Sequence, residues 1–178
     1  REIERLGGEV IDCDAVYHQL LEEDAGLQEE LERAFGPLRE EDGSIDRKKL
    51  GAIVFGDPAK LERLNGITQR ATAARVRALL EDLRGQGSTL AAVDAIALLE
   101  SGLGELCDTT VAVVAPPEAR VARIMAREGI PEDYAWSRVR AQRPAEYFVR
   151  GCDHALVNDH NRAEEFGEAA RKFLREIL

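Results

Sequence analysis

Apolar residues recur every three or four positions along much of the chain, which predicts several amphipathic helices. The pattern covers residues 15–35, with a break near Gly26, and residues 58–83. Asp46 and the pair Asp57-Pro58 stand directly before helical patterns, and Asp followed by Pro is a typical helix start. Further helices are predicted over residues 118–128, 131–142 and 162–178. Residues 1–6 have the pattern of a helix end.

Four short apolar segments lie between these helices and predict β-strands. They cover residues 9–12, 89–93, 110–114 and 155–158. The second and third are almost continuously apolar, which is typical of parallel strands that are buried on both faces. The alternation of strands and helices predicts an α/β fold. We expect a doubly wound parallel sheet with helices on both faces, in a single domain over residues 1–178.

Polar residues follow the ends of three predicted strands. Asp12 and Asp14 come with the first, Asp94 follows the second, and Asn158 ends the last. In an open parallel sheet, ligands bind beyond the carboxyl ends of the strands. A single residue of this kind is more often a helix cap, and Asp14 has the alternative of capping a helix that begins at Ala15. Recurrence on several strands favours a binding site at this rim of the sheet.

The composition excludes several classes of protein. The chain has 34 acidic and 24 basic residues and a net charge of -10, so nucleic acid is not an expected partner. Its longest apolar runs, such as residues 111–115, are too short to cross a membrane, and no signal-peptide pattern is present. The three cysteines form no C-x-x-C pair and no zinc-ligand spacing with the histidines. We therefore expect a cytoplasmic protein with reduced thiols, and we assign no residue as a metal ligand.

Six arginines fall within residues 120–143, and no lysine is among them. They are Arg120, Arg123, Arg127, Arg138, Arg140 and Arg143. Guanidinium groups bind phosphate oxygens through paired N–H donors, which favours a phosphate-binding segment. The alternative is a solvated helix face whose arginines pair with nearby acids, and composition alone does not decide between the two.

An ordered set of motifs carries a resemblance to a known family. The motifs are residues 10–14 (VIDCD), 42–50 (DGSIDRKKL), 53–58 (IVFGDP), 93–94 (VD), 98–103 (LLESGL), 138–142 (RVRAQ) and 157–159 (VND). In this order and at this spacing, the chain resembles bacterial dephospho-coenzyme A kinase, a family of the P-loop kinase group, over essentially its whole length. The segment Asp-Gly-x-x-Asp-Arg has no generic catalytic explanation, which makes it a good family marker.

The sequence also departs from the pattern of this family. Family members have a first strand and then a G-x-x-x-x-G-K-[ST] loop for the ATP phosphates, and the 178 residues contain no such loop. We expect that roughly the first 20 residues are missing through truncation or a mis-set start, which leaves a central gap in the sheet and an inactive chain. Smaller departures lie at His18, Gln69 and Ile96, where the family usually has Arg, His and Pro.

The resemblance implies transfer of the γ-phosphoryl group of ATP to the ribose 3′-hydroxyl of dephospho-coenzyme A, the last step of coenzyme A biosynthesis. It implies that Asp14 orients this hydroxyl and takes its proton, and that Asp12 acts through magnesium-bound water. Mg²⁺ is then the cofactor that accompanies ATP, and the partners are the two small-molecule substrates. The oligomeric state is left open.

The resemblance also implies two helical regions, a substrate-side region over about residues 15–85 and a lid over about residues 120–143. The residues implied to bind the acceptor are His18, Asp94 and Gln69. The residues implied to bind ATP are Arg127 and Arg138 on the lid and Asn158 beside the adenine.

Two other functions stay open from the sequence. One is a related nucleoside or nucleotide kinase, because Gln69 and Ile96 depart from the family pattern on the acceptor side. The other is a loopless homologue that binds a coenzyme A precursor without phosphorylating it.

Overall fold

The computed structural model describes residues 1–159 and 162–178, which form two compact units. The first unit contains Arg1 and residues 3–106, and the second contains Glu2 and residues 107–178. Up to residue 106 the elements are α1 (Glu2–Arg5), β1 (Glu9–Asp12), α2 (Cys13–Glu23), α3 (Ala25–Phe35), α4 (Arg47–Val54), α5 (Pro58–Gly85), β2 (Ala91–Asp94) and a 3₁₀ helix (Leu103–Leu106). After it they are β3 (Val111–Val114), α6 (Pro117–Glu128), α7 (Glu132–Arg140), α8 (Ala145–Gly151), β4 (His154–Val157) and α9 (Ala163–Ile177).

The first unit combines a two-stranded parallel sheet with a group of helices. Strand β1 pairs with β2 in a register that sets Asp12 opposite Asp94. Helices α2, α3 and α4 all pack against the long helix α5. Because their apolar residues recur at helical spacing, they form one core, whose fully buried side chains include Leu31, Leu38 and Val76.

Aspartates fix the starts of several helices in this unit. The side chain of Asp46 accepts a hydrogen bond from the backbone N–H of Lys49 at 2.8 Å, and Asp57 caps α5 in the same way, which confirms both predicted helix starts. The predicted break near Gly26 is displaced, because Gly26 lies inside α3 and Asp24 separates α2 from α3. The side chain of Asp24 accepts a hydrogen bond from the backbone N–H of Leu27 in the first turn of α3, whereas a glycine only weakens a helix.

The second unit contains another parallel pair, β3 and β4, in which Val111 lies opposite His154. Helices α6 and α7 form a hairpin that packs through Val121, Ala135 and Val139. Gly129 ends α6 with a φ of 65°, in the left-handed region that glycine adopts without strain. Helix α8 packs against β3 and is not predicted from the sequence, since its seven residues are too few to show a helical period.

The α/β fold with parallel strands is confirmed. The strands are less buried than the sequence predicts, and Val113 of β3 is 59% exposed. In the described residues the strands form two sheets of two. Side chains alternate between the two faces of a strand, and along β3 Ala112 is buried whereas Val113 is exposed, so one face of this strand is packed and the other is open. The single domain, the substrate-side region and the lid stay predictions. None of the described helices has both the length and the apolar character needed to span a membrane.

Candidate active site

The acids that end β1 and β2 lie side by side. Asp12 and Asp94 are paired in the strand register, and both are exposed at the carboxyl ends of their strands. Adjacent strands in a sheet are about 4.8 Å apart, so the two carboxylates belong to one local site. The structure therefore brings these two predicted residues together at one rim.

Asp12 and Asp14 differ in their hydrogen bonds. One carboxylate oxygen of Asp12, Oδ1, accepts from the backbone N–H of Asp14 at 2.9 Å and of Ala15 at 3.1 Å. Asp12 is therefore the residue that caps α2, and the alternative in which Asp14 caps a helix from Ala15 is wrong. Asp14 lies exposed in the first turn, and its carboxylate has no hydrogen bond or ion pair among the described residues. This leaves the Asp14 carboxylate available to a ligand.

His18 lies one helical turn beyond Asp14, on the same side of α2. Nη1 of Arg47 donates a hydrogen bond to Nδ1 of His18 at 3.0 Å, because a guanidinium has donors and no acceptor. The ring centroids of Tyr17 and His18 are 5.6 Å apart. Burial raises the pKa of Tyr17, and the positive charge of Arg47 partly opposes this rise. Through its hydrogen bond to His18, Arg47 therefore lies against the helical turn that follows Asp14.

Sequence reasoning treats residues 42–47 as a family marker and assigns no function to Arg47. The structure explains the marker as a tight turn that starts α4. Oδ1 of Asp42 accepts from the backbone N–H and the hydroxyl of Ser44 at 2.9 and 2.6 Å, and Gly43 has a φ of 87°. Asp46 then caps α4 and sets Arg47 as its first residue. The sequence does contain one signal that could have pointed to Arg47, since this arginine directly follows Asp46, a predicted helix cap.

Gln69 is not joined to this group. It lies partly buried on α5, and no hydrogen bond links it to Asp12, Asp14 or Asp94 in the part of the chain that the structure describes. The predicted contact between Gln69 and the acceptor therefore stays a prediction. Ile96, the other departure from the family pattern, is 80% exposed beyond the end of β2.

In the second unit, Arg127 and Arg138 contact the same carboxylate. Nη2 of Arg127 donates to Oε1 of Glu128 at 2.7 Å, and Nη1 of Arg138 donates to Oε2. The hydrogen bonds from Arg127 and then Arg138 lower the pKa of Glu128 and keep it charged. Both interpretations of the arginine run accommodate this pairing, because a carboxylate and a phosphate bind the same edge of a guanidinium.

Asn158 follows β4 and contacts another arginine of the run. Its backbone N–H donates to the carbonyl of Val114 at 2.7 Å, which extends the parallel pairing by one residue. Nη2 of Arg123 donates to Oδ1 of Asn158 at 3.0 Å and to its backbone carbonyl at 3.1 Å. Arg123 lies one helical turn before Arg127 on α6. Helix α6 therefore provides both the arginine that contacts Asn158, the predicted adenine-side residue, and Arg127, a predicted phosphate-side residue.

The donor set of the first unit suits a magnesium ion that is shared with a substrate. Within residues 1–159 and 162–178, no cluster of three or more His, Cys, Asp or Glu side chains is arranged to hold a metal ion. Mg²⁺ typically takes only one or two carboxylates and completes its shell with water and substrate phosphates. The neighbouring carboxylates of Asp12 and Asp94 fit that pattern.

Comparison with known proteins gives a consistent family match. A family model described as dephospho-CoA kinase matches residues 1–164. The dephospho-CoA kinase of Carboxydothermus hydrogenoformans is 35% identical over 159 residues, which cover 89% of this chain and 77% of that protein.

Solved structures show the same likeness. A crystal structure of a Thermus thermophilus protein superposes with a TM-score of 0.76 at 30% identity, covering 99% of this chain and 88% of that one. Dephospho-CoA kinase from Campylobacter jejuni gives a TM-score of 0.69 at 26% identity, covering 98% of this chain and 87% of its own. The likeness extends over nearly the whole chain in both sequence and structure.

Proposed function

The chain belongs to the dephospho-CoA kinase family, and we propose that Asp14 is the general base of its reaction. The enzyme catalyses ATP-dependent phosphorylation of dephospho-CoA in coenzyme A biosynthesis, by moving the γ-phosphoryl group of ATP to the ribose 3′-hydroxyl. Such a transfer needs the attacking hydroxyl to be positioned in line with the bond that breaks. It also needs a group that takes the hydroxyl proton.

The observation that carries this proposal is the contrast between two acids at one strand end. Asp12 uses Oδ1 to cap α2, whereas Asp14 is exposed and has no partner among the described residues. Asp14 accepts a hydrogen bond from the ribose hydroxyl and takes its proton as the oxygen attacks the γ-phosphorus. The bond from that phosphorus to the β-phosphate oxygen breaks, and ADP leaves with the electron pair.

Mg²⁺ is the proposed divalent cation of this site. The sequence assigns no metal ligand and gives Asp94 to the acceptor, but the strand register sets Asp94 opposite Asp12. We therefore propose that Asp94 and the second carboxylate oxygen of Asp12 would hold the ion, directly or through bound water, since the other oxygen of Asp12 is used by the helix cap. When bound, the ion neutralises charge on the phosphates of ATP.

The ATP side of the proposal rests on the arginine pair of the second unit. Arg127 and Arg138 would exchange the carboxylate of Glu128 for phosphate oxygens, which accept from the same donors. Asn158 would contact the adenine and is oriented by its hydrogen bond from Arg123. We also place the reaction in the cytoplasm, where ATP is available as a substrate.

The 178 residues contain no G-x-x-x-x-G-K-[ST] motif, and we propose that this stretch made alone does not turn over ATP. The backbone N–H groups of that loop are the ones that hold the β- and γ-phosphates in P-loop kinases. The measurement compares phosphate transfer by the 178-residue polypeptide with transfer by the protein made from its complete reading frame. Measurable turnover by the 178-residue polypeptide would contradict this part of the proposal.

The substrate assignment is tested with a panel of acceptors and the protein made from its complete reading frame. We expect ATP-dependent phosphorylation of dephospho-CoA with a kcat/KM far above that for adenosine or AMP. Phosphorus NMR of the product should locate the new phosphate on the ribose 3′ oxygen. A higher kcat/KM for a nucleoside or nucleotide supports the related-kinase alternative. Binding of dephospho-CoA without turnover supports the non-catalytic alternative.

A further inference from the structure

Arg47 has a positive charge that no acid neutralises in the described part of the chain. The side chain is exposed, and the hydrogen bond that it makes goes to an uncharged acceptor, Nδ1 of His18, at 3.0 Å. The exposed Arg70 of the same unit shows the usual alternative, because its guanidinium pairs with Glu30 at 2.9 Å. Because the imidazole nitrogen that accepts from Arg47 carries no negative charge, the charge of the guanidinium stays uncompensated and can attract an anionic ligand.

The bond to His18 also fixes where this charge lies. His18 is one helical turn beyond Asp14 on α2, and Arg47 is the first residue of α4, after the cap formed by Asp46. A guanidinium has five N–H donors, so a single bond to the imidazole leaves most of its donors for a ligand. Through His18, the structure thus holds an unneutralised cation against the helical turn that follows the proposed general base.

We propose that Arg47 binds the diphosphate of dephospho-CoA, an inference that rests on the proposed function. The diphosphate is attached to the 5′ carbon of the same ribose whose 3′-hydroxyl reacts at Asp14. Paired N–H donors of a guanidinium match the oxygens of a phosphate, and the attraction is strongest where no acid competes. Arg47 is then a binding residue that sets the orientation of the ribose, and His18 positions Arg47.

Lys48 provides a matched control for this assignment. It follows Arg47 in the first turn of α4, has the same charge and is also exposed. It makes no hydrogen bond to α2 among the described residues. Loss of Lys48 therefore removes one positive charge from the same turn without removing the contact to His18.

The test measures KM values for both substrates, and dissociation constants by calorimetry, in the protein made from its complete reading frame. Arg47→Ala should raise both the KM and the dissociation constant for dephospho-CoA about tenfold or more, the usual cost of a charged hydrogen bond. The KM for ATP and the inhibition constant for adenosine, which has no diphosphate, should not change. Arg47→Lys should restore part of the loss, and Lys48→Ala should match the unsubstituted protein.

Several outcomes would overturn the proposal. One is an equal effect of Arg47→Ala and Lys48→Ala on dephospho-CoA binding, which would mean that only the general field matters. Another is a rise in the KM for ATP, or an equal loss of adenosine binding. Failure of the unsubstituted protein to phosphorylate dephospho-CoA would count against the proposed function. In that case the calorimetric comparison of Arg47→Ala with Lys48→Ala still decides the role of Arg47.

Discussion

Asp12 and Asp14 are two residues apart at one strand end, yet their carboxylates have different surroundings. A helix cap needs an acceptor just before the first turn, and Asp12 occupies that position for α2. Asp14 lies inside the first turn, where a negative charge is favoured by the helix dipole but needs no local partner. At the residue scale, stability is therefore expected to depend on Asp12 and chemistry on Asp14.

Substitution of Asp12 tests the structural half of this division. Asp12→Ala should lower the free energy of unfolding by about 1 kcal/mol, because two backbone N–H groups of α2 lose their acceptor. Asp12→Asn should retain most of that free energy, since an amide oxygen caps nearly as well. Urea unfolding measures both variants, with Asp24→Ala as the control for a cap on another helix. An alanine variant as stable as the unsubstituted protein would show that the Asp12 cap contributes nothing.

At the scale of elements, the hairpin of α6 and α7 is joined by charge as well as by packing. Glu128, the last residue of α6, accepts from Arg127 on its own helix and from Arg138 on α7. Exposed ion pairs of this kind contribute little to folding. The apolar contacts of Val121 and Val139 are therefore the main packing of the hairpin, and the arginines are available for a second role.

Arginine substitutions test that second role. Arg127→Ala and Arg138→Ala should each lower turnover far more than they lower the melting temperature, since a guanidinium on phosphate charge in a closed site contributes several kcal/mol. Lysine at either position should restore only part of the activity, because a point charge cannot form the bidentate contact. Arg140→Ala is the control, as Arg140 lies over the ring of Trp136 on the same helix as Arg138. Normal turnover in both alanine variants would remove the arginines from the ATP site.

The sequence predicted the elements whose signals are local. The caps Asp46 and Asp57 are recognisable because the acceptor and the N–H groups that it serves lie within three residues. The contact between His18 and Arg47 joins residues 29 apart, and it depends on how α2 and α4 both pack against α5. Spacing along the chain has no information on such a contact, which is why Arg47 was identified only in the structure.

At the scale of the whole molecule, local hydrogen bonds favour the charged form of several of the many carboxylates. Three carboxylates have a lowered pKa: the Arg39 guanidinium lowers that of Glu32, the Ser44 hydroxyl that of Asp42, and the Thr110 hydroxyl that of Asp153. A lower pKa in the folded state means that the unfolded state binds more protons in the acid range. The contribution of these carboxylates to the free energy of unfolding is therefore fully present above their pKa in the unfolded state. It is lost as the pH falls through their lower pKa in the folded state.

The melting temperature should therefore be nearly constant from pH 7 to about pH 5 and should fall between about pH 5 and pH 3. Thr110→Val removes the hydroxyl donor to Asp153 and should make that fall shallower. Thr89→Val is the control, because Thr89 is exposed and makes no side-chain hydrogen bond among the described residues. A melting temperature that rises as the pH is lowered through this range would contradict the account.

Turnover of the Asp14→Asn variant tests the central claim most directly. Asparagine keeps the size and polarity of Asp14 but cannot take a proton, so dephospho-CoA phosphorylation should fall by roughly 10² to 10⁴. The melting temperature and ATP binding should stay unchanged, because Asp12 caps the helix. Glu22→Gln removes an exposed acid from the same helix and should have normal turnover. Near-normal turnover of Asp14→Asn would contradict the account and transfer the role of base to Asp12 or Asp94.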